Sequence, residues 1–124
     1  MKTLRKLLFL PFIISTIAFV SVEDIVTAIK NGDATEVSKY FDNTIEITLP
    51  EKSNSYSKSQ AEVVLRDFFS TNGIKDFEVL HKGDNAGSQF CIGTLHTRNG
   101  IFRTTIFLKQ KGDKQVLQEL RFEK

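Results

Sequence analysis

Two long alternating runs meet at Asn99-Gly100 in the stretch GTLHTRNGIFRTTIFL, residues 93–108, and this junction constrains the fold more than any other part of the chain. Alternating segments joined by Asn-Gly read as a β-hairpin with a two-residue type I′ turn. With Asn99 and Gly100 as the turn, Arg98 lies opposite Ile101 and the numbers of paired residues sum to 199. The side-chain period of two then sorts the hairpin into faces. One face holds Thr97, Leu95, Gly93 and Cys91 with Phe102, Thr104, Ile106 and Leu108; the other holds His96, Thr94, Ile92 and Phe90 with Arg103, Thr105, Phe107 and Lys109. The first is more continuously apolar, so we expect it to face inward. A one-residue bulge would exchange the faces beyond it.

Ahead of this hairpin the periodicity is helical and the caps are explicit. Ser21 to Asp24 opens a first helix with Val22, Ile25, Val26 and Ile29 on one side, and Gly32 stops it. Asp33 with Glu36 starts a short second helix that carries Val37, Tyr40 and Phe41 inward. Ser57 and Gln60 form a capping-box pair for the longest helix, striped by Ala61, Val64, Leu65, Phe68 and Phe69 and ended by Gly73. Between them TIEITLP, residues 44–50, reads as a half-buried strand ended by Pro50, and EKSNS as a polar turn. From Asp76 onward the chain reads as strands with turns at Gly83 to Gly87, Asn99-Gly100 and Gly112-Asp113. The last turn permits two registers. A two-residue turn sends Leu117, Glu119 and Arg121 to the face of Ile106 and Leu108, whereas a three-residue turn sends Val116, Gln118, Leu120 and Phe122 there. We favour the second, because it buries apolar groups and no unpaired charge.

The first 21 residues are a basic stretch (Lys2, Arg5, Lys6) followed by an apolar run from Leu7 to Val20 interrupted by Pro11, Ser15 and Thr16. This layout predicts a secretory signal peptide, cleaved near Phe19 to Val22, in contact with the membrane only during export to the periplasm or beyond. One domain would follow, from residue 22 to residue 124. No cysteine follows the apolar run, which argues against a lipoprotein. The segment holds 3 of the 17 basic residues and none of the 15 acidic ones, so the remainder has a net charge of −1 and nucleic acid is not an expected partner. Helices covering one side of an antiparallel sheet make an α+β plan.

The segments IKNGDATEVSKYFDNTIEITL, YSKSQAEVVLRDFFSTN and FCIGTLHTRNGIFRTTIFLKQKGDKQVLQELRFEK resemble a family of small exported bacterial proteins, domain of unknown function 4783, within the nuclear transport factor 2-like (NTF2-like) superfamily. The resemblance implies a cone: a curved antiparallel sheet wrapped over three N-terminal helices. It implies export and carries over no catalytic residues. Isomerases and dehydratases on that fold use a carboxylate or histidine inside the cone, with a phenol or second acid.

Candidate chemistry in this chain is sparse. His96 is expected across from Arg103 with no carboxylate in its cross-strand position, a surface histidine and not a general base. His81, His96 and Cys91 have no metal-ligand spacing, and Cys91 is expected to act as a buried apolar group. Asp42, with Glu119 in the disfavoured register, is the acid nearest a pocket; an isomerase or dehydratase reading would rest on it. No cofactor is expected. The leading expectation is a non-enzymatic domain whose cone binds a small apolar or amphipathic molecule through Phe68, Leu95, Phe102, Thr104, Ile106, Leu108 and Gln118, with Tyr40 or Tyr56 at its mouth. The alternative is a homodimeric interaction module using Phe90, Ile92, Thr94, Thr105 and Phe107 on the opposite sheet face.

Overall fold

Local signals account for the helices. The structure, a computed structural model, describes residues 22–124, so the expected signal segment and the cap at Ser21 lie outside the described residues. Helix α1 (Val22–Lys30) buries Val22, Ile25, Ala28 and Ile29. It ends at Gly32, whose φ of +65° suits glycine and whose N–H donates to the Ile29 carbonyl at 2.9 Å. Helix α2 (Ala34–Ser38) is capped by the Asp33 carboxylate, which accepts from the Glu36 N–H at 3.0 Å, and it ends before Tyr40 and Phe41, which the sequence pattern assigns to it; Phe41 instead begins the first strand. Helix α3 (Lys58–Asn72) opens with the expected capping box between Ser57 and Gln60 and buries Ala61, Leu65, Phe68 and Phe69. Two unmet donors at the helix start are satisfied reciprocally in this arrangement.

The strands are β1 (Phe41–Leu49), β2 (Lys52–Ser57), β3 (Ile74–Asn85), β4 (Ser88–Thr97), β5 (Gly100–Lys111) and β6 (Lys114–Glu123), in the order β2-β1-β6-β5-β4-β3. Every neighbouring pair is antiparallel except β1 and β6, which run parallel. The helices cover one face of this curved mixed sheet, and Ile45, Ile47, Leu95, Ile106, Leu120 and Phe122 are buried beneath them. The expected polar turn at EKSNS is shorter than the pattern implies. Pro50 and Glu51 make the turn, and Lys52–Ser57 is an edge strand with Ile45 opposite Tyr56. An edge strand exposed on both sides needs no apolar alternation, so its composition is that of a loop.

The β4–β5 hairpin has the expected faces but not the expected partners. Arg98 and Asn99 form the two-residue turn, Thr97 faces Gly100, and Leu95 faces Phe102. No non-glycine residue described has positive φ, so Asn99 does not make a type I′ turn. The Arg98 N–H is engaged by the end of α3, donating to the carbonyls of Asn72 and Gly73 at 3.0 Å. The Thr97 hydroxyl closes the turn, accepting from the Asn99 N–H and donating to the Gly100 carbonyl. The pairing is displaced by two residues, an even number, so inward and outward sets are unchanged. His96 consequently faces Ile101 rather than Arg103, with Asp76 on its β3 side and Glu78 Oε1 3.7 Å from its Nε2. The expectation that no carboxylate flanks it is therefore corrected.

Strand β6 is also a correction. Lys111 pairs with Lys114 across a two-residue Gly112-Asp113 turn, the register judged less favourable from sequence. Leu108 then faces Leu117, but Phe107 faces Glu119, so Gln118 is an inserted residue. This bulge turns Leu120 and Phe122 inward as well, and all three apolar side chains are fully buried. Each such burial contributes about 1.5–3 kcal/mol, against about 1 kcal/mol for a disturbed ladder hydrogen bond, so the bulge is favoured. Glu119 and Arg121 stay on the outer face and pair with each other at 3.1 Å.

A matching irregularity lies in β1, between Phe41 opposite Leu117 and Glu46 opposite Glu119. The two irregularities bring Asp42 and Gln118 together. The Asp42 carboxylate accepts from Gln118 Nε2 at 3.0 Å, from the Asn43 N–H at 2.8 Å and from Lys111 Nζ at 3.2 Å. The amide of Gln118 first, then the Asn43 N–H and the Lys111 ammonium, outweigh desolvation and hold its carboxyl below the usual aspartate value.

Strand β4 contributes one close approach that depends on glycine. A Cβ on Gly93 would lie 2.4 Å from the Phe77 ring and 2.6 Å from the Glu78 carbonyl oxygen. The ring of Phe77 occupies the space a side chain would take.

Two expected outcomes follow from this packing. Gly93→Ala should lower stability by about 1–3 kcal/mol in urea unfolding, because a backbone oxygen and a buried ring must both move. Asp42 has a lowered folded-state value, so its contribution is complete above about pH 4 and is lost as pH falls through that value. Asp42→Asn should therefore cost about 1–2 kcal/mol near pH 7 and flatten the acid limb of the stability curve; an acid limb as steep as the parent's would contradict this role.

Candidate functional site

Aromatic packing decides how much of the cone is open. Phe68 on α3 stacks on Phe122 with centroids 4.6 Å apart and meets Phe102 edge-on at 5.1 Å, while Phe69 approaches Phe122 at 6.4 Å. Such pairs add to the area each ring buries. Behind them Leu95, Thr104, Ile106 and Leu108 have no solvent exposure, and the Thr104 hydroxyl is satisfied by the Phe102 carbonyl at 3.3 Å. Gln118, at the β6 bulge, donates to Asp42. Of the residues expected from sequence to bind a ligand, Phe68 and Phe102, themselves buried, are the two that border an open space, while Gln118 is half-buried at the β1–β6 seam.

That space is a cavity of about 510 Å³ at the mouth of the cone. Its walls are the β1–β2 turn (Leu49 to Lys52), one side of α3 from its middle to its end (Val64, Asp67, Phe68, Thr71, Asn72), the β4–β5 turn at Asn99, and Phe102 and Lys124. The helix and the hairpin are fastened together here. Asn99 Nδ2 donates to the Thr71 carbonyl at 3.1 Å and to Asn72 Oδ1 at 3.3 Å, and Asn72 Nδ2 donates to the Phe68 carbonyl at 2.9 Å. Lys124 Nζ donates to the Asn99 carbonyl at 3.1 Å and lies 4.8 Å from the centre of the Phe102 ring. Among the described residues Glu51, Lys52 and Asp67 make no ion pair. The site therefore has an aromatic floor with a polar, partly charged rim.

Sequence reasoning did not place Leu49, Asn72, Asn99 or Lys124 at this site. Asn72-Gly73 and Asn99-Gly100 are visible as a helix end and a turn, but only the tertiary fold puts the two asparagines in contact. Neither Tyr40 nor Tyr56 lines the cavity; Tyr56 borders a shallow apolar hollow with Gln60, Val63 and Val64. Asp42 lies outside it too, engaged by Gln118 and Lys111. Cys91 is buried, and that burial pushes its thiol up, which favours the protonated form. No group of three metal-ligating side chains occurs among the described residues.

The opposite sheet face carries the other expected set. Phe90 faces Phe107 and Ile92 faces Thr105 in adjacent strands, with Thr94 opposite Arg103. Phe90, Ile92, Thr94, Thr105 and Phe107 are all half-buried. His81 packs against Phe90 at 5.5 Å.

Comparison with known proteins supplies the relationship. Residues 22–123 match the model of the family described as domain of unknown function (DUF4783). A DUF4783 family protein from Bacteroides uniformis is 33% identical, with a TM-score of 0.80 over 82% of this chain and 94% of that one. A second, from Bacteroides ovatus, is 34% identical, with a TM-score of 0.78 over 82% and 92%. An NTF2-like protein of unknown function from Cytophaga hutchinsonii shares the fold at 8% identity, with a TM-score of 0.60 over 82% of this chain and 83% of that one. No curated protein matches. The cone sheltering a mouth cavity is thus the NTF2-like fold, and the chain belongs to the DUF4783 family of bacterial proteins of unknown function.

Proposed function

We propose that this is an exported, non-catalytic domain that binds a small amphipathic molecule in the cavity at the mouth of the cone. The observation that carries the reading is the cavity itself: about 510 Å³, floored by the rings of Phe68 and Phe102 and rimmed by polar groups. Pockets of this size with an apolar base and a few polar groups are typical of small-molecule sites. A binding role is favoured over catalysis because general acid–base work needs a positioned pair. The cavity's acids, Glu51 and Asp67, are exposed, and it contains no histidine. Export rests on the basic and apolar character of residues 1–21.

Native mass spectrometry of the protein purified from its own host reads both parts of the proposal. A chain mass short of the first 21 residues, with an additional mass lost on denaturation, is the expected result. Val64→Trp, on the cavity wall, should reduce that additional mass by about tenfold in occupancy while the fold is retained, because an indole would take up ligand space. Retained ligand in this variant would argue against the cavity.

The cross-strand pairing of Phe90 with Phe107, beside Ile92, favours a second reading, compatible with the first: this sheet face joins two copies of the chain. An apolar centre with Arg103, Lys109, Glu119 and Arg121 around it has the make-up of an interface. Sedimentation is expected to show a dimer at about tens of micromolar and a monomer for Phe107→Arg. A monomeric parent protein would overturn this reading.

A further inference from the structure

The mouth cavity already holds a cation, and it comes from the chain itself. The Lys124 ammonium lies 4.8 Å from the centre of the Phe102 ring and bonds the Asn99 carbonyl at 3.1 Å. The face of an aromatic ring carries negative potential, and a cation within about 6 Å of its centre is attracted. A carbonyl oxygen beside that ring adds a second acceptor. We propose that the cavity selects an organic ammonium group carried on an apolar stem, and that Lys124 holds its place until such a ligand displaces it. This rests on the reading of the cavity as a ligand site and specifies what the site takes.

The charges of the wall support that choice. With Lys124 swung out, the remaining ionisable lining is Glu51 and Asp67 against Lys52, two carboxylates to one ammonium. Neither carboxylate is in an ion pair with any described residue. An anionic headgroup at the Lys124 position would instead meet the ring face and the Asn99 carbonyl, both of which repel it, in a wall whose remaining side-chain charge is negative. Lys124 is also suited to leave. Its residue is exposed, its long stem is flexible, and release restores rotamer freedom that the docked form gives up. The apolar stem of the ligand would lie along Phe68, Val64 and Leu49, the unoccupied part of the wall.

The test compares three probes with the same eight-carbon chain: octyltrimethylammonium, octanoate and octyl glucoside. Each is titrated below its micelle concentration into the isotope-labelled protein, following the amide signals of Phe68, Thr71, Asn99 and Phe102. The cation is expected to bind about tenfold or more tightly than either other probe, and Lys124→Ala to tighten it further by about 3- to 10-fold. Lys124 is an exposed side chain outside the core, so this variant should fold as the parent does. Octanoate or octyl glucoside binding as well as the cation would overturn the cation selectivity while leaving the ligand site standing. Unchanged or weaker cation binding by Lys124→Ala would overturn the displacement by Lys124. If none of the probes moves these signals, both this inference and the ligand-site reading fall.

Discussion

The contact between Phe122 and Phe68 closes the sheet over the long helix, and much of the remaining structure follows from it. For Phe122 to stack on Phe68 at 4.6 Å, the end of β6 must face inward. A regular ladder continued from the Gly112-Asp113 turn would have sent Leu117, Glu119 and Arg121 to the core instead. The inserted residue Gln118 resolves the conflict, keeping Leu117 inside while bringing Leu120 and Phe122 in. Gln118 then needs a partner, and the irregularity in β1 supplies one in Asp42. An apolar demand at one end of the cone thus explains a polar cluster at the β1–β6 seam.

The same stack explains where open space survives. The aromatic group and the fully buried Leu95, Ile106 and Leu108 fill the interior, so the cavity lies at the mouth, where the β1–β2 turn, α3 and the β4–β5 turn do not meet. Its floor is the outer boundary of the packed rings of Phe68 and Phe102. Its rim comes from turns and helix ends, which are polar because their backbone groups need partners. The amphipathic character of the site is therefore a consequence of where the core stops. Asn72 and Asn99 do structural work at that boundary, joining the end of α3 to the hairpin, and the Lys124 ammonium lies over the Phe102 ring.

The readings from sequence that matched the structure share a property: they depend on neighbours in the chain. Asp33 with Glu36, Ser57 with Gln60, and Gly32 after α1 act within a few residues of one another. The inward set of β4 and β5 was legible for a related reason, since alternation survives any even displacement of partners. The exact partners were not legible, because the Arg98 N–H is taken by α3, far away in the chain. His96 shows the cost of that displacement: its neighbours are Asp76, Glu78 and Ile101 in place of Arg103. Strand β2 was invisible because an exposed edge strand has no apolar face to write into its composition.

The amino-acid sequence alone determined the α+β class, the capped starts of α2 and α3, the inward face of the central hairpin and the family resemblance. Those features are set by local hydrogen bonding and by the periodicity of apolar residues, both carried along the chain. Tertiary structure alone decided the parallel pairing of β1 with β6, the bulge at Gln118, the filling of the cone and the position of the cavity. Each of these is a competition between distant groups for the same buried volume or hydrogen-bond partner, and such competitions have no signature in a linear pattern.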